Sequence, residues 1–200
     1  MTVVTARRLV IAGLGLVAAA ALAAPLVLPI AELLPAGEGQ STCFAANFDG
    51  SQELVSGWHR EKPTPAPVTR MTVRFHHPEG EEAFRDDASG RGYDWRYTAY
   101  VGVTVKGDAA PVGAPTICEW RRHAINAIAP SLGCYIECDG GGIEIRRVPG
   151  RKAVHAVWEA SSHLRMSGCG GGGVILRGGE TAKTFRLEAV PQAECKPDME

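Results

Sequence analysis

Trp95-Arg96-Tyr97-Thr98-Ala99-Tyr100-Val101-Gly102-Val103-Thr104-Val105-Lys106 decides the fold. Trp95, Tyr97, Ala99, Val101, Val103 and Val105 fall on one side of an extended chain, and Arg96, Thr98, Tyr100, Thr104 and Lys106 on the other. Successive side chains of a strand point to opposite faces, so this period of two predicts a half-buried strand and excludes an amphipathic helix. Working outward, Gly107-Asp108 turns the chain downstream, and upstream Met71, Val73 and Phe75 alternate with Thr72 and Arg74 until Pro78. Further short runs follow at 116–120, 134–138, 143–146, 154–158, 174–176 and 184–190, divided by Asp139-Gly140-Gly141, Pro149-Gly150 and Gly178-Gly179. Turn signals recurring about every ten residues predict an all-β fold, a small antiparallel sandwich or barrel. Residues 123–128 alone have a helical look beyond the N-terminal segment, and they are too few to change the class.

The N-terminus has a different composition. Arg7-Arg8 precedes Leu9 to Ala24, an apolar run rich in alanine, and Ala21-Leu22-Ala23 offers a small-x-small cleavage pattern. A basic region followed by an apolar region predicts an export signal over residues 1–31. An uncleaved anchor is the alternative, because the apolar stretch continues through Leu26, Val27, Leu28 and Ile30. Residues 32–70 read as an irregular lead-in, with Lys62-Pro63-Thr64-Pro65-Ala66-Pro67 suggesting an extended polyproline spacer. The β domain is then expected over 71–195, with a short tail at 196–200.

All six cysteines, Cys43, Cys118, Cys134, Cys138, Cys169 and Cys195, lie beyond that signal, and an even number in an exported chain predicts disulfides. Six cysteines allow 15 pairings. The positions suggest an economical set: Cys43 with Cys195 bracketing the domain, Cys118 with Cys134, and Cys138 with Cys169. The alternative is a thiolate metal site on Cys134, Cys138 and Cys169 with His163.

The net charge of −1 disfavours a nucleic-acid binder, since such proteins present a basic field. The expected location is periplasmic or secreted, with the membrane engaged only through residues 1–31 if these stay uncleaved.

From Cys118 to the end, the order Cys134-x3-Cys138-Asp139-Gly140-Gly141, Cys169-Gly170, Phe185-Arg186-Leu187 and Cys195 resembles small exported proteins of alphaproteobacteria. The likeness covers about residues 95–195. It implies a recurrent disulfide-linked β unit and transfers no activity.

Candidates for chemistry are few. His76-His77 are sequence neighbours, which on a strand point apart and bind one ion poorly. The acidic stretch Glu79 to Asp94 reads as a long exposed loop, and Asp86 and Asp87 make it a possible binding loop for a partner or calcium. Ser161-Ser162-His163 places hydroxyls beside an imidazole without a nucleophile-elbow context, and Cys169-Gly170-Gly171-Gly172-Gly173 lacks the Lys-Ser/Thr of a phosphate loop. Trp58, Trp95, Trp120 and Trp158 with Arg96, Arg121 and Arg122 would suit a sugar-stacking face, although a β core also needs large residues. No catalytic residue, metal or cofactor is assigned. The expectation is a non-catalytic binding or structural module of the cell envelope with a protein or glycan partner. An inhibitor or interaction module is the alternative, and a hydrolase or binder of envelope carbohydrate a more distant one.

Overall fold

The computed structural model describes residues 30–57, 62–79, 85–86, 92–93, 97–108, 110–121, 131–136, 140–160, 162–166 and 174–195. Its strands are β1 (Ser41–Asn47), β2 (Glu53–Ser56), β3 (Thr64–His76), β4 (Arg85–Asp86), β5 (Gly92–Tyr93), β6 (Tyr97–Val105), β7 (Val112–Arg121), β8 (Ser131–Tyr135), β9 (Gly142–Arg147), β10 (Ala153–Trp158), β11 (His163–Met166), β12 (Val174–Arg177) and β13 (Lys183–Val190). The order β1-β13-β10-β9-β8-β7-β6-β3 closes on itself through β1–β3 pairing, giving an eight-stranded antiparallel barrel. Apart from inserted short strands, each barrel strand pairs with the next one along the chain, and β13 returns to β1. Of the two architectures expected from sequence, the barrel is the one formed.

An eight-stranded barrel has an interior that side chains can just fill. Large and small residues alternate across the ladders: Phe75 is opposite Ala99, and Phe185 is opposite Ala156. Phe44, Met71, Phe75, Leu132, Ile145, Trp158 and Phe185 are all fully enclosed, and Trp158 and Phe44 meet Phe185 and Phe75 edge-on. The alternations at 71–75 and 97–105 hold, with the apolar residues of each facing this interior.

Both ends of the barrel are covered. At one, β2, β12 and β11 form a lid that continues from the first half of β3. Leu54, Leu164, Met166 and Leu176 of the lid join the barrel core. The far side of the lid latches where Gly141 bridges Leu164. Gly141 has φ of 78°, and a Cβ there would run into the His163 carbonyl, so glycine is required. A bulge between Val68 and Arg70 lets β3 serve both lid and barrel, because it shifts the buried set from Ala66 and Val68 to Met71, Val73 and Phe75. At the opposite end, the turn Ile30–Leu33 places Ile30 and Leu34 in the same core, and Glu32 pairs with Arg147 at the end of β9.

Three expectations need correction. Residues 32–70 are not an irregular lead-in: they supply β1, β2 and the start of β3. The segment around Pro65 and Pro67 is a strand and not a polyproline spacer. These prolines alternate with Ala66 and Val68, and Val68 donates to Gln52, so the missing proline N–H groups fall on the side away from β2. The stretch 79–94 is also not wholly loop, since Arg85 pairs with Tyr93 and Asp86 with Gly92 in a small ribbon.

Two of the three suggested disulfides are formed, Cys43–Cys195 and Cys118–Cys134. Cys118 and Cys134 are opposite on β7 and β8 and point into the barrel, both fully buried. Cys43 faces outward from β1 and is buried by the turn Gln192–Cys195, which lies across the β1–β3 seam. Cys138 and Cys169 lie outside the described residues, as does the 1–29 part of the export segment.

Candidate functional site

The covered barrel turns attention to its outer face and rim. At the end holding Ile30 and Leu34, β1 and β13 diverge beyond Cys43 and Val190, the last pair in register. The divergence leaves a groove of 380 Å³ whose lining includes Leu33 as apolar surface and Glu32, Thr42, Lys152 and Gln192 as polar groups. The Thr42 hydroxyl is buried with no hydrogen-bond partner. Gln192 from the C-terminal turn donates its side-chain amide to the Ser41 carbonyl at 2.7 Å, tying that turn to the start of β1.

Ser41 also lines the groove and joins it to a second cluster on the outer face of β1 and β3. Its Oγ is 3.1 Å from Nδ1 of His76, the residue opposite it, and 3.4 Å from a guanidinium nitrogen of Arg74. Arginine can only donate, so Ser41 accepts from Arg74; with a second lone pair and its own proton, the hydroxyl meets His76 Nδ1 as donor or acceptor according to the ring tautomer.

A second charged row crosses β9, β10 and β13. His155 is opposite both Arg146 and Arg186, which are paired to Glu144 and Glu159, and to Glu188, respectively. Partial burial, then the charges of Arg186 and Arg146, hold the His155 pKa below its usual value. Arg186→Gln is expected to raise it, which a histidine NMR titration reads. Because the folded value is depressed, this residue's share of stability is present above the unfolded pKa of about 6.5 and is lost as pH falls through the folded one.

The other sequence candidates are dispersed. His76 and His77 do point apart, the first to Ser41 and the second edge-on to Tyr97. Asp86 sits in the small ribbon, and Asp87 lies outside the described residues. Cys134 is bonded to Cys118, which removes it from any thiolate metal set with Cys138, Cys169 and His163. Among the described residues no group of three His, Cys, Asp or Glu side chains is arranged to hold a metal. Ser162 is half-buried, its hydroxyl oxygen enclosed and unpartnered, and Ser161 is outside the described residues. Trp158 is a core residue and no part of a sugar face; Trp58 and Trp95 lie outside the described residues. The Arg74–Ser41–His76 cluster was not found from sequence, because Ser41 is remote along the chain and only the β1–β3 register brings it to His76. Comparison with protein-family models, with curated proteins and with solved structures found no match for the chain.

Proposed function

We propose that the protein is a non-catalytic binding or structural module of the cell envelope, acting outside the cytoplasm and engaging a protein or glycan partner at the groove between β1 and β13. The observation that supports this most is the filled barrel: with its interior occupied by side chains and both ends covered, a partner meets the rim and outer face. The disulfides fit an oxidising compartment, in keeping with the basic and apolar regions of an export signal. An inhibitor would use the same rim.

One observation favours hydrolysis, the Ser41–His76 contact. A serine nucleophile needs an oriented base and donors placed for an oxyanion. Here Arg74 takes one Ser41 lone pair, and the hydroxyl bridges a cation to a ring nitrogen. Purified protein treated with a fluorophosphonate is therefore expected to keep its mass, and an adduct on Ser41 would establish hydrolase chemistry instead. The binding role is tested by co-sedimentation with isolated envelope fragments. Retention is expected, and Lys152→Glu, at the groove rim, is expected to weaken it about ten-fold. Failure of the wild-type protein to sediment would remove the binding role.

A further inference from the structure

We infer that Arg74, His76 and Ser41 form a binding site for an oxyanion, a phosphate or carboxylate group carried by the partner; this rests on the binding role proposed above and adds its chemistry. The argument begins with charge. Arg70, Arg146, Arg147 and Arg186 each have a carboxylate within ion-pair distance. Arg74 is partly buried, and among the described residues it has none; its polar contact is the Ser41 hydroxyl. Its neighbours across the ladders are neutral: Cys43 on β1 and Tyr100 on β6 are opposite Arg74, and Ser41 and Thr98 are opposite His76. Its Nε is sealed from water and has no hydrogen-bond partner.

A guanidinium stays protonated, so this position carries a fixed positive charge without a counter-charge among the described residues. Burial raises the cost of that arrangement, and an anion at the Nη end relieves it. The donors suit such a ligand. The Nη groups of Arg74 and the imidazole of His76 belong to neighbouring residues of the same strand face, and the Ser41 hydroxyl, in contact with both, holds the two side chains in place. Preorganised donors of this kind recognise planar or tetrahedral oxyanions through charge-assisted hydrogen bonds. Ser41 also borders the groove, so the body of a ligand has a surface beside the charged group.

The test titrates inorganic phosphate, and separately acetate, into isotope-labelled full-chain protein while the Ser41 amide and His76 ring signals are followed. Saturable shifts at both are expected. Arg74→Gln is expected to weaken binding at least about ten-fold, whereas Arg151→Gln, on the exposed β9–β10 turn, leaves it unchanged. Stronger binding of phosphate assigns the natural group to a phosphate ester, and stronger binding of acetate to a carboxylate. Ser41→Ala keeps the charge and removes the bridge, and is expected to weaken binding about three-fold; it decides the matter if Arg74→Gln does not fold. No saturation by either probe, or equal binding by Arg74→Gln, overturns the site. If the site fails while Lys152→Glu still reduces co-sedimentation, the binding role stands with a different chemistry; if phosphate binds but envelope fragments do not, the envelope role fails alone.

Discussion

Replacing Cys43 and Cys195 together by alanine is expected to lower the unfolding free energy by up to about 5 kcal/mol, the chain-entropy value for a loop of this size. The two residues are 152 apart in sequence, against 16 for Cys118 and Cys134. The same relation gives the shorter loop about 3 kcal/mol. The longer bridge also ties Cys43 of β1 to Cys195 in the turn that follows β13 and lies over β1 and β3. Urea unfolding of the double variant, compared with wild type under non-reducing conditions, measures the loss. A difference below about 1 kcal/mol would mean that the unfolded chain is already compact enough for the bridge to constrain little.

Truncating Trp158 to alanine is the second large effect, about 3–5 kcal/mol. Trp158 is fully enclosed near the lid end and packs edge-on against Phe185, so removing its ring opens a cavity that closed β-ladders cannot collapse to fill. Its indole nitrogen is buried without a partner, which makes Trp158→Phe the informative companion. Phenylalanine loses volume but also removes an unsatisfied donor, and is expected to lose less than half as much as alanine. Thermal and urea unfolding of both variants settle the order. An alanine variant as stable as the phenylalanine one would show that the barrel relaxes around the site.

The parts of the fold legible in the sequence were those where one face meets the core and the other meets water. The run through Tyr97 to Val105 is such a strand, and so is Met71 to Phe75. β1 was invisible for the opposite reason: Phe44 faces the interior, but Cys43 and Ala45 on the outer side are buried as well, so Ser41–Asn47 shows no alternation. In β9 the carboxylate of Glu144 is buried beside Ile143 and Ile145, a pattern that composition cannot announce. Of the four-residue lid strands, β12 is read from sequence as the run 174–176, whereas β2 and β11 are too short for a period to register. Prolines at 65 and 67 argued against a strand because their tolerance depends on which side β2 occupies. Pairing of the cysteines was partly readable from their order along the chain. The Arg74 cluster was not, because it depends on register, and an arginine on the polar face of a strand looks the same with or without a counter-charge.

The closing seam has a consequence for the order in which the chain assembles. β1 is the first of the described strands to be made, and its partner β13 is the last, so the β1–β13 edge has nothing to pair with until β13 has been delivered. Before then the molecule is an open sheet with two bare edges, the state most exposed to pairing with a neighbour. Cys118 and Cys134 meet as soon as β8 follows β7, whereas the thiol of Cys43 waits for Cys195 while nearer cysteines compete for it. Residues 183–195, β13 and the turn Gln192–Cys195, thus act as the clasp of the barrel. A chain stopped short of β13 keeps most of its apolar sequence but lacks the strand that closes it, and is expected to aggregate instead of folding to a smaller barrel.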